Sequence, residues 1–339
     1  MIEKIFTTFI DKLKKNYKDI IIFFIPIIIA IVLLTPVDYY ITIGGGIISI
    51  DESIIVDKES KDIGSFNSAY VSQLKGNIAT YLLSFVIDDF EKEKIEDIVI
   101  NEESIEDYKY REEMMFNSSI SNALYVAYSN AGEKIVLKEN KLKVMYIDSS
   151  ANTTLKVKDE IIKFDGVFVK DFSSIKKIIS SKKVGDVIDI VVIRDKKEEL
   201  VNALVYDVGG ENKIGVGIIN DTVYDVNPNV DFNFSGKEAG SSGGLIMSLS
   251  IYNKLVDEDI TKGYKIVGTG TIDVDGVVGE IGGVKYKLQG AVKANADVFL
   301  VPDANYEEAK NIADKKDYDI KLIKVSSFDD AINKLNQLS

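Results

Sequence analysis

The chain has 339 residues and contains no histidine, no cysteine and no tryptophan. Without histidine or cysteine it has no Ser-His-Asp triad, no thiol nucleophile, no ordinary zinc site, no iron–sulfur cluster and no disulfide. Acid–base work therefore falls to Lys, Asp, Glu or Tyr, and nucleophilic attack to Ser, Thr, Lys or a carboxylate. Basic residues are outnumbered, 41 Lys and Arg against 54 Asp and Glu, for a net charge of −13. That acidity disfavours a phosphate backbone as partner, so no nucleic acid is expected. No G-x-x-x-x-G-K-[ST] occurs in the chain, which leaves no P-loop, no nucleotide partner and no built-in ATPase. With only four prolines there is no proline-rich linker either. No metal and no cofactor is expected.

What is present is an ordinary globular composition, 46% hydrophobic and 28% charged, enough for a sizeable core. At about 150 residues per domain the length fits two domains with accessories. Residues 1–19 carry Lys4, Lys12, Lys14, Lys15 and Lys18 against Glu3, Asp11 and Asp19, and read as a basic tail. Residues 20–37 (IIIFFIPIIIAIVLLTPV) carry no charge, with Pro26 inside and Pro36 near the end. This run sits at the short end of what a spanning helix needs. It is too long for a usual signal-peptide core and no A-x-A-like site precedes Asp38, so it reads as an uncleaved anchor in the lipid bilayer. The lysine-rich flank places the amino terminus in the cytoplasm and everything beyond Val37 outside a cell membrane crossed once.

Residues 38–136 read as a mixed α/β lead-in. Tyr39–Ile50 alternates around Gly44-Gly45-Gly46, Phe85–Phe90 and the acidic stretch to Arg111 read as helices, and Ile120–Asn130 has helical spacing with Gly132 as its stop. Residues 137–206 read as a small β-rich module. It holds a strand at Lys141–Ile147, another over Leu155–Asp165 and a short helix at Phe172–Ser180 with Ser173 or Ser174 as cap. A β-branched strand over Val187–Arg194 completes it. The segments LKVKDEIIKFDG, FSSIKKII and VGDVIDIVVIR make this module resemble a PDZ domain, with Lys158 in a slot usually held by glycine. The resemblance implies peptide binding by strand addition at the edge of Lys141–Ile147, with Leu142, Lys143 and Val144 as contact residues.

From Gly209 glycines cluster. Gly240-Ser241-Ser242-Gly243-Gly244 runs into a helix whose Leu245, Leu249, Tyr252 and Val256 share one face. A serine in a glycine-rich loop at a helix amino terminus has free amides beside it for an oxyanion, although a serine there also serves as a plain N-cap. The spelling G-x-S-x-G invites a nucleophile elbow, but that machinery needs histidine. A second helix follows Gly282-Gly283, with Val284, Leu288, Ala291 and Val292 apolar and Lys285 in its first turn. The helix dipole and partial burial lower a lysine pKa there, as a general base requires. Lys287 is a rival base but, two residues on, faces another side of the helix.

At these residues the chain resembles the Lon-type (S16) serine proteases. Gly240–Leu245 is similar to their GPSAGL-type motif, and GTGTIDVDGVVGEIGGVKYK (Gly268–Lys287) to their T-G…I-G-G-x-K block. With the anchor and the PDZ-like module, the order of segments resembles the membrane-anchored PDZ–Lon-type proteases of Gram-positive bacteria, the YlbL/SepM type. The resemblance implies an α+β fold with a single transmembrane helix, a PDZ-like module and a Lon-type proteolytic domain over 209–339. It implies an ATP-independent serine endopeptidase that cleaves exposed segments of proteins or peptides at the outer membrane face. Ser242 is then the nucleophile, Lys285 the base and Thr269 a supporting hydroxyl, with Gly240, Ser241 and Gly243 lending loop backbone. Ser241 and Gly243 stand where the family has Pro and Ala; the first makes Ser241 a second candidate nucleophile, and both leave a catalytically degenerate peptide-binding scaffold as the alternative. Whether copies assemble into an oligomer is left open.

Overall fold

The computed structural model describes residues 17–59, 63–99, 103–236 and 238–338. The chain divides into two units, Met1–Ile43 with Ser72–Ile98, and Gly44–Val71 with Val99–Ser339.

The first unit carries helix α1 (Tyr17–Leu33) and an antiparallel sheet in the order β5 (Ser72–Asn77), β1 (Pro36–Ile43), β6 (Phe90–Lys94). The apolar run expected to span as 20–37 is divided between two elements. The helix ends at Leu33, and Pro36 already opens β1, where a missing N–H costs a strand end nothing. Among the described residues no helix is long and apolar enough to cross a membrane. Most of the basic tail 1–19, with Lys4, Lys12, Lys14 and Lys15, lies outside the described residues. The helix expected over Phe85–Phe90 is absent. Helix α2 (Ile78–Leu83) comes earlier because Asn77 and Thr80 form a capping box, each side chain accepting the other's amide at 2.9 Å. Phe90 instead begins β6.

The second unit is built on a sheet in the order β2 (Ile47–Ser49), β4 (Ser65–Ala69), β16 (Lys265–Gly268), β19 (Val298–Pro302), β20 (Lys321–Val325). All neighbours run parallel except β2 with β4. Every residue of β19, VFLVP, is buried, as expected of a parallel strand covered on both faces. One face packs on α3 (Ile105–Ala131), α5 (Gly244–Leu255) and α8 (Phe328–Asn336) around Phe66, Leu249, Leu300 and Phe328. The other packs on α6 (Val284–Lys293) and α7 (Tyr306–Lys316) around Leu288, Phe299 and Ala309. Two small ribbons, β3 (Ile54–Val56) with β15 (Val230–Phe232) and β17 (Thr271–Ile272) with β18 (Val278–Gly279), complete this part.

The lead-in expected over 38–136 is therefore not one region. Residues 44–71 and helix α3 are built into the same unit as the C-terminal segments, joined by β4 on β16 and α3 on α5. Helix α3 is capped by Ser104, whose side chain accepts the Asp107 amide, and it ends at Gly132 in the left-handed conformation (φ 70°).

Between α3 and β15 the chain forms a second sheet, in the order β11 (Lys197–Leu204), β10 (Val187–Arg194), β8 (Glu160–Phe164), β7 (Lys134–Ile147), β14 (Val216–Asn227). Strand β9 (Val167–Phe168) pairs with β8, and β12 (Tyr206–Val208) with β13 (Glu211–Lys213) forms a hairpin. Helix α4 (Phe172–Ser180) closes the core of this module with Ile175. Its cap is Asp171 rather than either serine. The carboxylate accepts the Ser174 amide and both serine hydroxyls at 2.7 Å. The strand expected over Leu155–Asp165 is shortened to β8 because Asp159 holds a turn ahead of it. Its carboxylate accepts the Lys156 amide at 2.8 Å and a fork from Arg194 at 2.7 and 2.6 Å. Lys158, in the slot read as glycine's, has a φ of 78°, the region glycine enters at least cost.

Candidate active site

The loop Gly240–Gly244 turns into α5, and Gly240 sits at a φ of 74°. Its backbone is held from two sides. The Ser242 carbonyl accepts the Gly270 amide at 2.8 Å and the Thr269 hydroxyl at 3.1 Å. The Leu245 amide donates back to the Gly270 carbonyl at 3.0 Å, so strand-end and helix-start are laced together. Thr269 is fully buried, while Ser242 is partly exposed at the loop's surface.

Helix α6 opens at Gly283, in the left-handed region at φ 69°. Lys287, not Lys285, is the lysine that this helix turns inward. It is 4% exposed, and its Nζ donates to Thr269 Oγ1 at 3.2 Å. Burial without a compensating carboxylate lowers its pKa to about 8. Lys285 is half-buried with its Nζ 5.0 Å from the Tyr286 ring centroid. The structure thus brings Ser242, Thr269 and Lys287 together, and leaves Lys285 on a different face. Periodicity alone did not separate the two lysines: Lys287 lies three residues after Val284 and four before Ala291, while Lys285 lies three before Leu288 and seven before Val292.

The three residues expected to meet a peptide in the PDZ-like module do not lie at a sheet edge. Leu142 and Val144 are core residues at 2% and 0% exposure, and Lys143 pairs with Asp221 at 2.6 Å. Strand β7 is interior, paired along its length with β14 and at Leu142 and Lys143 with β8, so it offers no edge there. The strand at that end of the sheet is β14, and α4 packs beside it. Sequence alone hid this, because β14 joins the sheet from beyond the module's expected end at Tyr206. Among the described residues no group of three or more acidic side chains is placed to hold a metal.

Residues 235–337 match the family described as the Lon protease (S16) C-terminal proteolytic domain, and residues 129–205 match the PDZ domain family. A Lon protease of Campylobacter jejuni is 34% identical over 94 residues, covering 27% of this chain and 12% of the relative. A Lon protease of Campylobacter concisus is 31% identical over 163 residues, covering 48% of this chain and 18% of the relative. A serine protease Do-like HtrA of Lactobacillus helveticus is 30% identical over 89 residues, or 26% of this chain and 18% of that one. Among solved structures, the PDZ domain of an SdrC-like protein of Listeria monocytogenes is 26% identical, covering 23% of this chain and 86% of that chain, with a TM-score of 0.22. The chain thus spans less than a fifth of the length of these curated relatives. It carries a PDZ domain and, after it, a Lon-type proteolytic domain of mixed α/β architecture.

Proposed function

We propose that this protein is a serine endopeptidase in which Ser242 attacks the scissile carbonyl and Lys287 is the general base. One observation carries the reading: a lysine buried beside a hydroxyl that itself holds the Ser242 backbone, with its pKa lowered to about 8. A lysine must be neutral to take a proton, and at its ordinary value of about 10.4 it is almost wholly charged at neutral pH. At about 8 roughly a tenth is free base at pH 7, and the fraction rises steeply above it. Thr269 keeps the amine aimed at the loop. Lys287 later returns the proton to the leaving amine. The chain carries no P-loop, and the reading is of hydrolysis without a nucleotide.

Covalent labelling with a fluorophosphonate probe, together with peptide hydrolysis without ATP, tests this. Wild type should label and turn over, and Ser242→Ala and Lys287→Met should do neither. Labelling of wild type that persists in Ser242→Ala would overturn the assignment, and no labelling at all would favour the scaffold reading.

The substrate class is exposed segments of proteins or peptides, recruited by the PDZ module along β14 beside α4, where a segment adds as a further strand. The site of action is the outer face of a cell membrane, as in the membrane-anchored PDZ–Lon-type proteases of Gram-positive bacteria. Helix α1 supports this, because every residue from Ile21 to Val32 is exposed. The described part of α1 rises about 26 Å, short of an apolar bilayer thickness of about 30 Å. The exposed Phe85 and Val86, just past α2, extend the same apolar character, and Ile78 at the start of α2 donates its amide to the Thr35 carbonyl beyond the end of α1. Because the chain lacks tryptophan, Phe23→Trp gives a single reporter in reconstituted vesicles. Quenching by brominated acyl chains is expected, and quenching only by aqueous iodide would remove α1 from the bilayer.

A further inference from the structure

The loop that carries Ser242 spells Gly-Ser-Ser-Gly-Gly, a run with little stiffness of its own. Helix α3, far upstream in sequence and outside the matched proteolytic segment, grips it. The Gly240 amide donates to the Glu112 carbonyl at 3.1 Å, and Ser119 Oγ donates to the Ser241 carbonyl at 3.2 Å. Asn122 Nδ2 donates to the Ile272 carbonyl at 2.9 Å, tying the neighbouring strand to the same helix. Ser119 is 2% exposed, and a β-carbon at Gly244 would stand 2.9 Å from its Oγ, so the turn into α5 is packed against this hydroxyl.

In a trans peptide the carbonyl of one residue and the amide of the next point in opposite directions. The Ser241 carbonyl, held by Ser119 on α3 and by the Gly244 amide of its own turn at 3.2 Å, therefore turns the Ser242 amide away from α3. On the other side, Gly270 and Thr269 hold the Ser242 carbonyl, which turns the Gly243 amide away from them. Neither the Ser242 nor the Gly243 amide finds an acceptor among the described residues. Two donors are left unpaired at the start of a helix, beside the serine hydroxyl, where a tetrahedral oxyanion develops.

We infer that Ser119 is a positioning residue for the oxyanion hole: its hydroxyl fixes the Ser241–Ser242 peptide plane so that the Ser242 amide is aimed at the developing oxyanion. This rests on the reading of Ser242 as nucleophile. Its consequence follows from preorganisation. Donors that are already oriented stabilise the transition state without reorganising, and deleting one outright costs about 10²–10³-fold in kcat. Ser119 acts through a peptide bond rather than touching substrate, so its loss should cost less, about 10- to 100-fold.

The full-length protein in detergent micelles, with a fluorogenic peptide amide, provides the test. Ser119→Ala should lower kcat about 10- to 100-fold with KM within about threefold. Affinity for a peptide aldehyde, whose hemiacetal oxygen occupies the hole, should fall in parallel. The pH midpoint should stay where Lys287 sets it. Ser119→Thr and Ser119→Val differ in a hydroxyl at nearly constant volume, so the threonine variant should retain most activity and the valine variant should behave like alanine. Equal activity of the two, a shifted midpoint, or a loss confined to KM would overturn the inference and leave Ser119 a packing residue. If Ser119→Ala does not fold, the threonine–valine pair still decides. Ser242→Ala is the separate control: if it keeps turning over, the nucleophile assignment fails whatever Ser119 does.

Discussion

Two buried charged groups in this protein are treated in opposite ways. Asp159 in the PDZ module is almost wholly buried, and Arg194 forks onto it while the Lys156 amide completes its bonding. Lys287 in the proteolytic half is as deeply buried, yet its hydrogen-bond partner is a neutral hydroxyl. A compensated ion holds a turn in place. An uncompensated one gives up its charge more readily, and its pKa falls toward neutrality. The first arrangement holds the fold together, and the second leaves an amine that is partly neutral near physiological pH.

The largest expected effect comes from abolishing the base. Lys287→Met and Lys287→Arg should each lower kcat by about 10²–10⁴-fold, the usual contribution of a positioned acid–base group. Arginine fails despite keeping the charge, because guanidinium does not deprotonate in this range. In wild type, kcat/KM should rise with pH through a single ionisation near 8, with no limb near 6.5, since there is no histidine. A pH-independent rate between 6 and 9 would contradict this.

Breaking the paired ion should cost stability instead. Asp159→Ala leaves Arg194 without its main partner and should destabilise the protein by about 3–5 kcal/mol in denaturant unfolding. Exposed pairs such as Lys94–Glu96 should contribute next to nothing by the same measurement.

Lys287→Met should then do what no change at Asp159 does, and stabilise. The folded-state pKa of about 8 lies below the ordinary lysine value, so the unfolded chain binds the proton more tightly. The penalty is fully present below pH 8, fades as pH rises from about 8 to about 10.5, and is gone above that. A displacement of this size corresponds to about 3 kcal/mol, so the methionine variant should gain up to that much at pH 7 and nothing at pH 11. An unchanged melting temperature at pH 7 would show that the lysine carries no burial penalty.

The smallest effects are expected at the neighbours. Lys285→Arg should leave kcat and stability near wild type, because that side chain stays half-buried beside Tyr286. Lys158→Gly should relieve the strained φ by about 1 kcal/mol, offset in part by the exposed Glu106 pair it loses.

Local features were the legible ones. The ends of α4 and β10, and the stop of α3 at Gly132, follow from side-chain periodicity and a glycine at a left-handed position. That Lys158 stands in a glycine's slot came from the resemblance to a PDZ domain, and its φ of 78° agrees with it. The start of α2 was missed because an asparagine–threonine capping box competes with the apolar pattern that follows it. The edge strand was misplaced because β14 reaches the PDZ sheet from outside the module's apparent limits. Lys285 and Lys287 both share helical spacing with apolar residues of α6, so the burial of Lys287 was not legible from periodicity.

By itself the sequence determined the kind of chemistry open to this chain. Lacking histidine and cysteine, it excludes histidine- and thiol-based mechanisms and leaves acid–base work to Lys, Asp, Glu or Tyr and attack to Ser, Thr, Lys or a carboxylate. Only the tertiary structure decided which lysine is buried, which strand lies at the sheet's end, and that a helix ahead of the PDZ module grips the serine loop. Burial and carbonyl orientation depend on groups distant along the chain, such as Ser119 and Ser241, which are 122 residues apart. Patterns that repeat every few residues report which face of an element is apolar, but not which distant backbone will be packed against it.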